Sequence, residues 1–82
     1  MINQKRHIGI VSRWNRDKQY GFVNSMNNGV SYFLHRSKLD QDVCNGTVVE
    51  FEIWNDKEDK DKVFAAKAIV VEMPERYENR KY

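Results

Sequence analysis

The sequence predicts an all-β chain, five short strands closed or nearly closed into one small barrel. Three observations carry this. Apolar and polar residues alternate in short runs rich in β-branched and aromatic types. No window of about 11 or more residues holds a helical stripe before the C-terminal tail. Clusters of Asn, Asp, Gly and charged residues separate the runs. With 82 residues the chain has material for a single core, which excludes the larger multi-domain enzyme architectures.

The first strand is expected over residues 6–15 and the second over 19–25, joined by the tight connection Arg16-Asp17-Lys18. Asn27-Asn28-Gly29 tolerates positive φ and reads as the hairpin turn into a third strand over 30–35. These three strands form a meander. The longer connection that follows contains Ser37-Lys38-Leu39-Asp40, suited to one helical turn, and Asn45-Gly46 turns the chain into a fourth strand over 47–54. There Val49, Phe51 and Ile53 alternate with Glu50, Glu52 and Trp54, so one face is core and the other faces water. Residues 56–62 are seven charged residues of mixed sign, which must be an exposed loop. The fifth strand, 63–72, carries Ala65, Ala66 and Ala68, as expected where a barrel closes and space is short. Residues 1–73 are assigned to the barrel and 74–82, starting at Pro74, to a charged tail with no assigned chemistry.

The longest apolar stretches are far below the roughly 18 residues of a membrane span, and the N-terminal residues lack a secretory apolar segment. A soluble, cytoplasmic protein without membrane association is expected. The single Cys44 cannot form an internal disulfide or supply a four-ligand zinc site, so no metal and no cofactor are expected. Net charge is only +2, but residues 1–38 hold seven Lys/Arg against Asp17 alone, whereas residues 39–82 hold seven against eleven Asp/Glu. The basic half is the one suited to phosphate.

Side chains two apart on a strand share a face, so Tyr20 and Phe22 point one way and Gly21 and Val23 the other. Val23 is the natural core residue and Gly21 leaves room inside, which sends the two rings outward. In the third strand Tyr32 and Leu34 point inward and Phe33 and His35 outward. Two adjacent strands, about 4.8 Å apart, thus offer Tyr20, Phe22, Phe33 and His35 as a platform of flat groups. Trp14 joins with Ser12 if the first strand is regular; a bulge brings out Arg13 instead. A large exposed apolar patch signals a ligand. Nucleobases suit this one, since stacking on an aromatic ring stabilises by about 1–3 kcal/mol per base in any sequence. Lys5, Arg6, Arg13, Arg16, Lys18, Arg36 and Lys38 flank the rings and are placed to track phosphates. Duplex hides its base faces, so the expected ligand is single-stranded. For His35, a structural role and a stacking or hydrogen-bonding role stand side by side. Trp54 reads as cover for the barrel side.

The same residues resemble the bacterial cold-shock domain over roughly residues 8–71. Gly9-Ile10-Val11, Trp14-Asn15 and Asp17-Lys18-Gln19-Tyr20-Gly21-Phe22-Val23 look like the family's first ribonucleoprotein-type motif with its lead-in, and Tyr32-Phe33-Leu34-His35-Arg36-Ser37 like the second. Gly46 with Val49-Glu50-Phe51-Glu52-Ile53, and Ala66-Lys67-Ala68-Ile69, are similar to the later strands. The resemblance implies a five-stranded antiparallel OB-type barrel binding single-stranded RNA or DNA and acting as an RNA chaperone or antiterminator. Carried over position by position, Trp14, Tyr20, Phe22, Phe33 and His35 are stacking residues, with Asn15 and Lys18 as polar contacts. The sequence departs from the family at Ser12, where Lys is common; at Arg13, usually an exposed Trp; at Gln19, a Gly in the motif; and at Arg36, often Phe. Arginine stacks through its guanidinium plane and meets phosphate, so Arg13 and Arg36, with Lys38, stay among the candidate nucleic-acid contacts. The connection after Ser37 is shorter than usual and lacks an aromatic.

The alternative use of the same face is docking another polypeptide or a second copy of the chain as a homodimer, because function does not follow from fold. Catalysis is not expected: His7 and His35 are the only histidines, and spacing places no Ser/His/Asp set or carboxylate pair together.

Overall fold

The computed structural model describes residues 6–59 and 61–74. Lys5, Lys60 and the tail from 75 to 82, with Tyr77 and Tyr82, lie outside the described residues. The described residues form five strands and one short helical turn: β1 (His7–Asn15), β2 (Tyr20–Ser25), β3 (Ser31–His35), a 3₁₀ turn (Arg36–Lys38), β4 (Val48–Asn55) and β5 (Val63–Glu72). Each falls within two residues of its expected position, because period-two alternation marks both where a strand runs and which face it buries.

The strands close into a barrel in the order β1-β2-β3-β5-β4. Four of the five pairings are antiparallel. The fifth, β3 with β5, is parallel, so the all-antiparallel expectation is corrected to a mixed barrel. The reason is topological: the 3₁₀ turn and the connection after it carry the chain across one end, β4 and β5 form their own hairpin, and β5 closes the barrel running with β3. This is the OB-type arrangement. Among the described residues no helix is long and apolar enough to cross a membrane.

Val11, Val23, Leu34, Val49 and Phe51 fill the interior, with Tyr32, Leu39 and Val43 closing it. Phe51 is fully buried against His7 (ring centroids 5.7 Å apart) and Tyr32 (6.0 Å). Ala65, Ala66 and Ala68 are buried where β5 meets its neighbours, as their size requires. Buried Thr47 is satisfied locally, its hydroxyl donating to the Cys44 carbonyl at 2.8 Å. Gly29 takes φ 74° in the β2–β3 turn, and its N–H donates to the Ser25 carbonyl at 2.8 Å.

Arg6 has another function than the phosphate contact expected for it. Its guanidinium donates to Glu52 Oε2 at 3.0 Å, to the Glu50 carbonyl at 3.0 Å and to the Lys67 carbonyl at 2.7 Å, and pairs with Glu50 Oε1 at 3.4 Å. The chain just before β1 is thereby tied to β4 and β5. Lys67, at φ 49°, lies where the β4–β5 register shifts between Glu50 and Glu52. Its bulged carbonyl, turned from the ladder, is the one Arg6 takes up.

Candidate nucleic-acid interface

The platform forms because β2 and β3 pair in the register that alternation requires: Tyr20 lies opposite His35, and Phe22 opposite Phe33. Their inward neighbours Gly21, Val23, Tyr32 and Leu34 are buried. The Tyr20 and Phe33 ring centroids are 5.4 Å apart, tilted by 39°. Phe22 and Phe33 meet edge to face at 6.1 Å. Phe33 is 39% exposed. Tyr20 and Phe22 are half-buried rather than fully open, because each ring edge rests on its neighbour while one side stays at the surface. Such mutual contact orients the rings without closing the site.

His35 is exposed at the end of this row. Its Nδ1 accepts the Ser37 backbone N–H at 3.1 Å, capping the 3₁₀ turn. A neutral imidazole that accepts at Nδ1 carries its proton on Nε2. Both readings of His35 are thus compatible in one residue: Nδ1 is structural and the Nε2–H edge is a donor.

β1 reaches the platform through a bulge. Its register with β2 runs Ser12 with Phe22 and then Asn15 with Tyr20, so Arg13 and Trp14 together oppose Gly21. Arg13 takes φ 52° and is exposed. Trp14 is half-buried and packs against the core instead of joining the open rings, which corrects the placement expected from a regular strand. Gly21 is required for this crossing: a Cβ there would lie 2.8 Å from the Trp14 Cα and 2.9 Å from the Arg13 carbonyl oxygen, both backbone atoms that cannot swing aside. Gly21→Ala is expected to destabilise the fold by about 1–3 kcal/mol, read from urea midpoints. An unchanged midpoint would show that the bulge does not bear on Gly21.

The remaining candidates divide. Lys18 and Arg13 are exposed, and their side chains make no hydrogen bond or ion pair with the described residues. Lys38 lies with its Nζ 5.5 Å from the Phe64 ring centroid and lines a surface groove with Phe33 and His35. Asn15 organises the β1–β2 turn, its Oδ1 accepting the N–H groups of Asp17 at 3.0 Å and Lys18 at 2.9 Å. Arg36 has partners of its own as well: Nε donates to Asp42 Oδ1 at 2.7 Å and a terminal nitrogen to the Leu39 carbonyl at 3.1 Å, clamping the β3–β4 connection. Gln19 stands at φ 61°, a left-handed position that explains the glycine expected in that motif. Among the described residues no group of three His, Cys, Asp or Glu side chains is placed to hold a metal ion.

A family model described as the 'Cold-shock' DNA-binding domain matches residues 7–71, from the first residue of β1 almost to the end of β5. The chain belongs to the cold-shock domain family. No curated protein matches it. Membership in the cold-shock family supports nucleic-acid binding. In this cold-shock domain the departures at Arg13, Gln19 and Arg36 have different structural meanings: the first presents charge on a bulge, the second bears backbone strain, and the third ties a loop.

Phe64 was missed by sequence reasoning. It lies directly opposite Phe33 across the parallel β3–β5 pair. A Phe beside a run of alanines gives no signal for this, since the neighbour is fixed only by barrel closure.

Proposed function

We propose that the protein binds single-stranded RNA or DNA by stacking bases on Tyr20, Phe22 and Phe33, with His35 donating from Nε2 and Arg13, Lys18 and Lys38 meeting phosphates. The observation that carries this reading is the row of three touching, surface-facing rings on β2 and β3. A protein that holds bases unpaired shifts RNA away from secondary structure without any catalytic group, so the fitting role is a cytoplasmic RNA chaperone or regulator of transcription or translation. The flanking cations favour nucleic acid over a polypeptide partner, for which a charged rim alone offers little specificity.

The test is anisotropy of labelled single-stranded RNA, single-stranded DNA and duplex at several salt concentrations. Both single strands are expected to bind and duplex to bind much more weakly. With three or four phosphate contacts, raising salt from about 50 to about 200 mM should weaken single-strand binding roughly 20- to 50-fold. Equal binding of duplex, or binding indifferent to salt, would overturn the proposal. A concentration-dependent dimer that ignores all three ligands and is lost in Phe22→Ala would establish the face as a protein-docking surface.

A further inference from the structure

The aromatic row does not end at β3. The register of the closed barrel aligns Phe22 with Phe33, Phe33 with Phe64, and Phe64 with Trp54, one ring on each of β2, β3, β5 and β4. At about 4.8 Å per strand the row extends about 14 Å around the barrel. Trp54 is 39% exposed, and its ring meets Phe64 edge to face at 6.4 Å. The indole is held in place, its N–H donating to Glu52 Oε1 at 2.9 Å. That bond, with the charges of Arg6 and Lys67, keeps the Glu52 carboxyl below the ordinary carboxylate range, so the tether is charge-assisted at neutral pH and weakens as pH falls through the lowered value.

Cations attend both rings. Lys38 Nζ lies 5.5 Å from the Phe64 centroid and Lys67 Nζ 5.8 Å from that of Trp54. A groove of about 510 Å³ lined by Phe33, His35, Lys38, Asp56, Lys62 and Phe64 joins Phe64 to the platform, and Trp54 adjoins it through its edge-to-face contact with Phe64. From these observations we infer that Phe64 and Trp54 form a second base-stacking subsite, continuous with the first, which takes the following nucleotides of the same single strand. The inference rests on the proposed single-strand binding. An exposed cation–π contact is weaker than a base stacked on the same ring. A base therefore displaces each lysine from its ring, and the freed ammonium meets the phosphate. Arg6 neutralises Glu50 and Glu52 beside the subsite, which lowers their repulsion of the backbone.

The test compares oligo-dT of about three nucleotides, enough for Tyr20, Phe22 and Phe33, with one of about eight, within the range a single OB-type barrel covers. Trp54→Ala should weaken the longer oligonucleotide about 5- to 150-fold and leave the shorter within about twofold, while Trp54→Tyr retains most of the affinity. Phe33→Ala should weaken both. Phe64→Ala should behave as Trp54→Ala; if it unfolds, the exposed Trp54 variants still decide. Unchanged affinity for the longer strand in Trp54→Ala, with both lengths weakened by Phe33→Ala, overturns the second subsite and leaves the first. If Phe33→Ala changes neither, the stacking reading fails with it.

Discussion

Replacing Phe22 and Phe33 together by alanine is expected to weaken single-strand binding about 30-fold or more while leaving the barrel folded. Each stacked base is worth about 1–3 kcal/mol, so two lost rings remove at least about 2 kcal/mol, with departures from additivity because the rings touch. Neither belongs to the buried core. Their 6.1 Å edge-to-face contact stabilises by about 0.5–1.5 kcal/mol, which shifts the melting temperature of a domain this size by several degrees and does not unfold it. Phe33→Leu sharpens the test. Leucine keeps apolar area and loses the flat face, so stacking predicts a loss close to that of alanine, and simple apolar docking predicts little change. A folded double variant with native affinity would end the assignment.

The largest effect on stability is expected at Phe51. Its ring is fully buried and touches the His7 and Tyr32 rings, so alanine leaves a cavity that the surrounding β1, β3 and β4 backbones cannot fill. Phe→Ala in such a site costs about 3–5 kcal/mol. For 82 residues the total stability is roughly 4–12 kcal/mol, so the variant loses a large share of it, and the platform melts with the barrel. Urea unfolding should show a lower midpoint with an unchanged slope. A change under about 1 kcal/mol would mean that the interior repacks in a way this core does not allow.

Much of the site was legible because a strand has a period of two. Once Val23 and Leu34 are core, Tyr20, Phe22, Phe33 and His35 must lie opposite, whatever the rest of the chain does. The same logic sets Val49 and Phe51 inward and Trp54 outward. It fails at bulges, where one extra residue reverses the faces: Trp14 turns to the core and Arg13 to solvent because two residues pass Gly21. Nor can it foresee partners distant along the chain. Arg6 finds Glu52 and the Lys67 carbonyl, and Arg36 finds Asp42, and both leave the set of cations open to phosphate.

Local alternation and turn chemistry, which act between near neighbours, determined five strands, their buried faces and the Tyr20–Phe22–Phe33 platform from the sequence by itself. Only the tertiary structure decided that β5 runs parallel to β3, that Phe64 and Trp54 extend the aromatic row, and which arginines are structural. Those outcomes depend on how the barrel closes, a balance of packing and hydrogen bonding among residues up to 61 positions apart that no short window contains.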